Sequence, residues 1–409
     1  MDLLNEVENF YNNFDGEKGI IGRTVKGKPI YYMAIKKSNY PKIIVQCSIH
    51  AREYITTYLC LKLIKSLPKL NEVGCVYFIP LLNADGVEIC LNQFPLYKAN
   101  ANGVDLNVNF DARFGKGEKN VFLSGAENYV GKHPFSEPES KALRDFTYKI
   151  KPHLTISYHS KGQEIYYEFH QGKKRLERDL SLAKKVSKIC GYKIKSTPFS
   201  CGGYKDWCIE KLKIPALTIE VGDDNLTHPI GKSSLTPIYQ ENKMVLPTAI
   251  DWLKGEYMTE KYMKSAIKQA KIALKKDEVP IGAVIVLDGK IIARAHNLME
   301  KTQLATAHAE ILAINKACKK LNSWRLDNAE IFVTVEPCAM CAGAIANARI
   351  KKVYFGAYEH KSGCAQSKYP VLSDNGLNHK VDYCGGVLEK ICANLIKNYF
   401  KDKRSGKKS

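Results

Sequence analysis

The sequence predicts two α/β domains in succession, and three observations support this. The chain has 409 residues, more than one hydrophobic core usually organises. Short apolar, β-branched runs alternate with longer stretches of helical periodicity, which is typical of α/β proteins. A second series of such elements begins near Met258, after the stretch "WLKGEY". We therefore expect domains over residues 1–257 and 258–402, followed by a basic tail, 403–409, that we predict to be disordered.

Composition and cysteine content limit the classes of protein to which this chain can belong. Hydrophobic residues make up 45% and charged residues 25% of the chain, as in ordinary globular domains. The sequence contains no run of about eighteen apolar residues, and its opening segment, "MDLLNEVENFYNNF", is acidic and amphipathic. These features predict neither a membrane span nor a secretory signal. The 13 cysteines are scattered over both halves, which indicates a reducing compartment and a cytoplasmic protein.

The net charge of +20 is distributed unevenly between the halves. Residues 1–257 carry 36 Lys and Arg against 28 Asp and Glu, whereas residues 258–409 carry 26 against 14. The shorter segment thus has a charge of +12, a density that suits a polyanionic partner. A lysine-rich, solvated surface is an equally simple interpretation of charge alone.

The first half contains five buried-strand patterns with helical patterns between them. A largely parallel or mixed sheet is expected, with functional residues at the carboxyl ends of its strands. The strand patterns are "PIYYMAI", "KIIVQCSI", "GCVYFIPLL", "LTISYHS" and "ALTIEVG", and the main helical patterns cover Glu53–Leu67, Glu137–Lys151 and Leu176–Cys190.

Two histidines and a glutamate follow these strand patterns. His50 and Glu53 come just after "KIIVQCSI", and His159 ends "LTISYH". Two imidazoles and one carboxylate form a catalytic zinc set that leaves a fourth position for water. Glu220 ends another apolar strand, where a carboxylate needs a functional or paired reason to be present.

Four further segments carry a family resemblance. The motifs "LLNADGVE", "GVDLNVNFDARFG", "SCGGYKDW" and "PALTIEVGDD" occur in the order and spacing of the zinc carboxypeptidase family, which residues 1–257 resemble. The resemblance implies an α/β/α domain with a mixed sheet and zinc on His50, Glu53 and His159. It also implies that Glu220 is the base that activates the zinc-bound water. An inactive relative that keeps the fold is the alternative.

Several positions depart from the family pattern. The Asn-Arg pair that holds the substrate's terminal carboxylate corresponds to Asn107 and Val108, and a valine cannot form a bidentate clamp. Pro198 stands near the usual active-site tyrosine, so Tyr204 is the possible stand-in for substrate binding. For the cation that polarises the scissile carbonyl, Lys98 is the nearest candidate.

These departures, with the stretches "GVDLNVNFDARFG" and "TIEVGDDNLTHPI", resemble the bacterial branch that cleaves γ-D-glutamyl-diaminopimelate bonds in cell-wall peptides. The implied substrate of the first half is a small peptide.

The second half carries a second zinc motif. His308-Ala309-Glu310 and Pro337-Cys338-x-x-Cys341 match the signature of the zinc nucleobase and nucleoside deaminases. We expect the two cysteines to open one helix and His308 another, because helix starts favour the thiolates that bind zinc. Glu310 is then the proton shuttle. A structural zinc would require a fourth protein ligand, and the local pattern offers none.

The whole second half resembles bacterial tRNA-specific adenosine deaminases. The similar stretches are "VPIGAVIV", "TAHAEILAI", "VEPCAMCAGAI", "ARIKKVYFGA" and the segment from "HKVDYCGG" to the final helix. The resemblance implies a cytidine-deaminase-like α/β/α sandwich and a homodimer that hydrolytically converts the wobble adenosine of a tRNA anticodon to inosine. It also implies that Asn297 hydrogen-bonds the flipped base. Glu359 departs from the family's usual aspartate, and four lysines suit phosphate contacts: Lys351, Lys352, Lys361 and Lys368.

Three functional hypotheses follow from the sequence. The first is a bifunctional enzyme, a metallopeptidase and a tRNA deaminase with one zinc in each domain. The second makes the first half a non-catalytic peptide-binding module. The third assigns the deaminase to a free nucleobase or nucleoside.

The junction between the halves is expected to be short. The pattern predicts a helix from about Ile238 to Leu253 and a new helix capped by Thr259, with about five residues between them. Met258 is compatible with a true fusion, an internal translation start, or two neighbouring genes joined by a lost stop.

Overall fold

The computed structural model describes residues 3–67, 74–196, 199–373 and 379–405. Two compact units divide the chain, Met1–Lys254 and Gly255–Ser409. Each unit combines a β-sheet with helices, so the predicted α/β class is confirmed. Pro198 and residues 406–409 of the predicted tail lie outside the described residues.

The first unit is built on a mixed sheet. Within the described residues its eight strands have the order β1-β2-β4-β3-β5-β8-β6-β7. The central strands β4, β3, β5 and β8 are parallel, and antiparallel pairs lie toward both edges. The strands are β1 Glu17–Arg23, β2 Pro29–Lys36, β3 Lys42–Cys47, β4 Cys75–Ile79, β5 Leu154–His159, β6 Glu164–Tyr166, β7 Lys193–Lys195 and β8 Ala216–Glu220.

Helices cover both faces of this sheet. Ile43 and Val45 of β3 belong to one core cluster, whereas the intervening Ile44 belongs to another. Because both faces are buried, the central strands are continuous apolar runs rather than alternating ones. The helices of this unit are α1 Leu3–Asn12, α2 Ile55–Ser66, α3 Ala84–Asn92, α4 Pro138–Ile150, α5 Lys173–Cys190, α6 Tyr204–Trp207 and α7 Leu235–Asn242.

The sheet register brings the carboxyl ends of three neighbouring strands together. His159 at the end of β5 pairs with Glu220 at the end of β8, and Cys47 at the end of β3 pairs with Tyr158. Side chains that follow these strands therefore meet at one edge of the sheet, as expected for parallel strands.

The second unit contains a smaller mixed sheet of the order β10-β9-β11-β12-β13. The hairpin of β9 and β10 turns at Asp288 and Gly289, whose φ angles of 49° and 71° are those that an Asp-Gly hairpin turn requires. The strands are β9 Gly282–Leu287, β10 Lys290–His296, β11 Glu330–Val335, β12 Lys352–Ala357 and β13 Asp382–Cys384. The helices include α9 Met299–Thr302, α10 Ala309–Leu321, α11 Ala339–Asn347 and α12 Glu389–Arg404.

The expected break between two helices at the junction is wrong. A single helix, α8, runs from Val245 to Leu274. Residues 254–258 contain no proline, and one glycine costs a helix only about 1 kcal/mol. Thr259 is not a cap, because its hydroxyl donates to the carbonyl of Gly255 at 3.0 Å, four residues earlier.

Helix α12 continues to Arg404, so the first residues of the predicted disordered tail are helical, and Lys403 pairs with Asp277 at 2.7 Å. Among the described helices, none combines the length and apolar character that a membrane span requires.

Candidate metal centres and active sites

The first candidate metal centre lies at the carboxyl edge of the large sheet. His50 precedes the short 3-10 helix Ala51–Glu53, and His159 is the last residue of β5. Nδ1 of His50 lies 2.8 Å from Glu53 Oε1, and Nδ1 of His159 lies 2.9 Å from Glu53 Oε2. All three side chains are buried, with one ligand atom of each within 4.8 Å of the others. The structure thus brings together the three residues that the sequence singled out.

Asp105 fixes the orientation of the His50 ring. Its Oδ1 lies 3.1 Å from Nε2 of His50. A metal bound at Nδ1 would leave the proton of the ring on Nε2, where Asp105 accepts it, as in other carboxylate-histidine-metal arrangements. Two imidazole nitrogens directed at one carboxylate are the donor set that zinc prefers, so these residues fit the metal.

The electrostatics of this cluster agree with a cation site. Burial lowers the pKa of His50, but the carboxylates of Glu53 and Asp105 outweigh it and raise that pKa to about 9. Burial raises the pKa of Glu53, but His50 and His159 outweigh it and hold that pKa well below its usual range. The carboxylates of the cluster therefore favour positive charge between them, which a divalent cation supplies directly.

Replacing Asp105 with alanine is expected to weaken zinc binding by about 10- to 100-fold, because the His50 ring loses its orienting acceptor. Competition with a chromogenic chelator measures the affinity. Asp111→Ala is the matched control, since that carboxylate is half exposed and pairs with Lys211. Equal zinc affinity in the Asp105 variant and the control would contradict this role.

A cavity of about 510 Å³ opens beside the metal centre. It is lined by His50, Lys98, Asp105, Asn107, Lys205 and Glu220, among others. Burial and the nearby Glu53 carboxylate raise the pKa of Glu220 well above its usual range. A carboxylate with high proton affinity next to a metal-ligand cluster is suited to accept a proton from water.

Lys98 lines this cavity, as expected for the candidate cation that would polarise the scissile carbonyl. Its ammonium contacts Asp105 Oδ2 at 2.7 Å and donates to Asn128 Oδ1 at 2.6 Å. Asp105 therefore links Lys98 to His50. The sequence did not reveal this link, because Asp105 lies 55 residues from His50 along the chain; its position in the motif "GVDLNVNF" was the available signal.

The expectation that Tyr204 contacts substrate is wrong. Its side chain is fully buried, and its hydroxyl is hydrogen-bonded to Thr147 Oγ1 at 2.8 Å. The ring packs against Phe110 and Trp207 in the core. Only its backbone N–H is directed toward the cavity wall, where it donates to Asn107 Oδ1 at 3.2 Å. Asn107 itself lines the cavity.

The second candidate metal centre lies between two helix starts of the smaller unit. His308 is the N-cap of α10 and Cys338 is the N-cap of α11, as the sequence predicts. Nδ1 of His308 lies 3.7 Å from Sγ of Cys338 and 3.5 Å from Sγ of Cys341. One nitrogen and two sulfurs converging on one point match a zinc site with an open fourth position.

The protonation of this cluster also suits a metal. The hydrogen bond from Cys341 and the neighbouring His308 outweigh burial and lower the pKa of Cys338 to about 4. A thiolate is the form of cysteine that binds zinc. Cys338 is therefore already in the form that binds zinc, whereas its hydrogen bond and burial raise the pKa of Cys341, so that a bound cation would have to displace the Cys341 proton.

Glu310 lies in the first turn of α10 and is buried. Within the described residues its Oε2 atom has no hydrogen-bond partner. Burial raises the pKa of Glu310 above its usual value. A buried carboxylate without a full set of partners needs a functional reason, and accepting a proton from water at the open metal position provides one.

Asn297 is held by a residue that the sequence did not suggest. Its Nδ2 donates to Glu278 Oε2 at 3.1 Å, and Glu278 is fully buried. The same carboxylate accepts from the backbone N–H groups of Glu300 and Lys301 at 3.2 and 2.8 Å. Because Nδ2 is bound in this way, the amide of Asn297 has one defined orientation.

Replacing Glu278 with glutamine is expected to lower the kcat/KM of deamination by about 10-fold, because a carboxamide cannot accept all three hydrogen bonds. Zinc content should stay unchanged. Glu300→Gln is the control, since that side chain is exposed. Activity equal to that of the control would show that Asn297 needs no support from Glu278.

Glu336 organises the loop after β12. It is buried, and its carboxylate accepts from backbone N–H groups of Glu359, Ala365, Gln366 and Ser367, and from the Ser367 hydroxyl. Because Glu336 directly precedes Pro337 and Cys338, this loop is fixed to the metal-binding segment. Glu359 contributes its backbone to this arrangement, and its Oε1 accepts from Lys361 N at 2.9 Å.

Comparisons with known proteins support the family resemblance of each half. Each half is a hydrolase domain with a three-residue candidate zinc site. The zinc carboxypeptidase family model matches residues 17–245, more than half of the chain, and the MafB19-like deaminase model matches residues 258–404. The chain belongs to the zinc carboxypeptidase family in its first half and to the tRNA-specific adenosine deaminase family in its second.

Individual relatives cover the two halves separately. The tRNA-specific adenosine deaminase of Bacillus subtilis (strain 168) is 50% identical over 150 residues, which are 37% of this chain and 93% of that protein. The protein of the same name from Streptococcus pyogenes serotype M18 (strain MGAS8232) is 47% identical over 148 residues, 36% of this chain and 93% of that protein. The structure of bovine thrombin-activatable fibrinolysis inhibitor, solved with tick carboxypeptidase inhibitor, is 25% identical. It covers 62% of this chain and 98% of its own, with a TM-score of 0.56.

Proposed function

We propose that the second domain hydrolytically deaminates the wobble adenosine of a tRNA anticodon to inosine. The observation that carries this proposal is the buried carboxylate of Glu310 beside the site of His308, Cys338 and Cys341. A zinc ion bound there would act as a Lewis acid that activates water. Glu310 accepts a proton from that water and delivers protons to the ring nitrogen and to the leaving ammonia. Asn297, fixed by Glu278, hydrogen-bonds the flipped base.

Two observations support tRNA as the substrate. The similar proteins named tRNA-specific adenosine deaminase align with nearly the whole domain. The domain also carries a charge of +12, and Lys351, Lys361 and Lys368 are exposed for phosphate contacts, with Lys352 partly exposed. A splayed anticodon loop presents unstacked bases to a pocket, which is the usual basis of selective RNA recognition. The proposed enzyme acts as a homodimer in the cytoplasm.

The substrate is tested by incubating the purified 409-residue chain with an anticodon stem-loop that carries adenosine at the wobble position. Inosine in the digested RNA, measured by mass spectrometry, is the expected product. Free adenosine, adenine, cytidine and guanine are the comparison substrates. Turnover of a free base or nucleoside without turnover of the stem-loop would overturn the tRNA assignment.

We propose that the first domain is a zinc metallopeptidase that cleaves cell-wall peptides of the γ-D-glutamyl-diaminopimelate type. Its support is the buried cluster of His50, Glu53 and His159 beside Glu220 in one cavity. The three clustered residues would hold zinc, and Glu220 takes the proton of the attacking water. Lys98, in the same cavity, is directed by Asp105 and polarises the scissile carbonyl.

Asn107 is proposed to bind the substrate, whereas the neighbouring Val108 cannot supply the guanidinium of a terminal-carboxylate clamp. Release of free diaminopimelate from γ-D-glutamyl-diaminopimelate by the zinc-loaded chain tests the activity. Zinc-loaded protein that hydrolyses neither this dipeptide nor α-linked peptides would instead indicate a binding module.

A further inference from the structure

An exposed tyrosine, Tyr369, lies on the loop that follows β12 in the second unit, and the reactions proposed above do not use it. Its side chain is 58% exposed, and within the described residues it belongs to none of the hydrophobic core clusters. The ammonium of Lys368, which is also exposed, lies 5.7 Å from the centre of the Tyr369 ring. We call the aromatic and cationic surface formed by Lys368 and Tyr369 the Tyr369 platform.

The backbone of the Tyr369 platform is held in one place. The carbonyl of Gly363 accepts from the backbone N–H groups of Lys368 at 3.0 Å and Tyr369 at 3.2 Å. Pro370 follows directly and restricts the backbone of Tyr369 to extended conformations. A ring on a fixed backbone loses little conformational freedom when a ligand stacks on it.

Glu336 holds the other side of this loop. Its buried carboxylate accepts from the backbone N–H groups of residues 365–367 at distances of 2.6 to 3.2 Å. Gly363 permits this close approach, because a Cβ atom there would lie 2.5 Å from Cδ of Glu336. The Tyr369 platform is therefore tied to a residue that stands two positions before the metal-ligand candidate Cys338.

The Tyr369 platform lies on the same edge of the sheet as the metal centre. Strands β11 and β12 are parallel, so the segments that follow them leave from one edge. Cys338 follows β11, and Tyr369 follows β12. The backbone N–H of Cys364 donates to the carbonyl of Pro337 at 2.8 Å, which brings the two segments into contact. An RNA base flipped toward the metal centre would leave its neighbouring nucleotides at this edge.

We propose that the Tyr369 platform binds an unpaired nucleotide next to the flipped adenosine, with the base stacked on the Tyr369 ring and a phosphate near Lys368. This inference rests on the proposed deaminase function. Aromatic side chains hold unpaired bases by stacking, and neighbouring cations attract the phosphates. The platform adds affinity for RNA and takes no part in the chemical step, so it acts on KM rather than on kcat.

The test measures the Kd of the 409-residue chain for the anticodon stem-loop by fluorescence anisotropy, in a Glu310→Gln background that prevents turnover. Tyr369→Ala is expected to raise Kd by about 5- to 100-fold, whereas Tyr369→Phe keeps the ring and should change Kd by less than about two-fold. Trp324→Ala is the matched control. Trp324 is 62% exposed, but it precedes the amino end of β11, at the opposite edge of the sheet.

An abasic scan identifies the stacked nucleotide. Each unpaired nucleotide of the loop other than the wobble adenosine is replaced in turn by an abasic residue. At one position this replacement should weaken binding to the wild type but cost the Tyr369→Ala variant little further affinity, because the stacking is already lost. Glu336→Gln, which loosens the loop, should raise Kd as well and add little to Tyr369→Ala.

Equal Kd values for Tyr369→Ala and Tyr369→Phe, or full additivity at every abasic position, would overturn the inference. Sedimentation analysis covers a different partner: loss of RNA affinity that accompanies dissociation of the proposed homodimer would assign Tyr369 to contacts between copies of the chain, and the inference would fail. If the wild type does not deaminate the stem-loop at all, the proposed function itself is removed.

Discussion

Glu310→Gln is expected to lower kcat for deamination of the anticodon stem-loop by about 10³- to 10⁴-fold. A carboxamide has nearly the same shape as the carboxylate, but it cannot accept a proton from water or deliver one to the base. Because Glu310 is not one of the three proposed metal ligands, zinc should remain bound. Single-turnover assays of inosine formation, with metal analysis of the same preparation, measure both quantities.

The peptidase domain provides the internal control for this variant. Its hydrolysis of γ-D-glutamyl-diaminopimelate should be unchanged, because Glu310 lies in the other unit. A Glu310→Gln protein that retains zinc and deaminates at more than about a tenth of the wild-type rate would exclude Glu310 as the proton shuttle.

Glu220→Gln is expected to lower kcat for peptide hydrolysis by about 10²- to 10⁴-fold with little change in KM. Glu220 lies in the cavity beside the metal ligands, and burial and Glu53 raise its pKa. Loss of the carboxylate removes the group that takes the proton of water but none of the three metal ligands. Initial rates of diaminopimelate release, normalised to bound zinc, measure the effect.

Tyr204→Phe is the matched comparison, because the hydroxyl of Tyr204 is bonded to Thr147 in the core rather than directed at the cavity. Its kcat should stay close to the wild-type value. The assignment of Glu220 fails if Glu220→Gln retains both zinc and the wild-type kcat.

Local patterns in the sequence were sufficient to predict most of the candidate metal ligands of both sites. The candidate zinc ligands lie at the ends of strong strand patterns or in a short motif. Their positions therefore already imply that the side chains of each set can reach one metal ion. In the structure His159 is the last residue of β5, and Cys338 caps α11, as these patterns predict. The fold class followed for the same reason, since alternating apolar runs and helical stretches define it locally.

The supporting residues could not be predicted, because their contacts are non-local. Asp105 reaches His50 across 55 residues, and Glu336 collects backbone N–H groups from a loop that lies 23 to 31 residues further along. Neither residue has a periodic or spacing signal of its own. Only the tertiary fold shows which buried carboxylate contacts which ligand or loop.

Two predictions were wrong because a residue's neighbours in the sequence do not determine where its side chain points or whether a helix ends there. Tyr204 follows the Gly-Gly motif directly, but it begins helix α6 and its side chain points into the core with Trp207. At the junction, Thr259 has the chemistry of a helix cap, yet helix formers on both sides outweigh one glycine and the helix continues.

The proposals for the two domains together require two separate zinc hydrolase sites in one chain. The most direct test is the zinc content per chain of the purified wild type and of His159→Ala and Cys338→Ala variants after dialysis. We expect two zinc ions in the wild type and one in each variant, with peptidase activity lost only from His159→Ala and deaminase activity lost only from Cys338→Ala. A wild type that binds a single zinc, or a His159→Ala variant that retains both, would contradict this expectation.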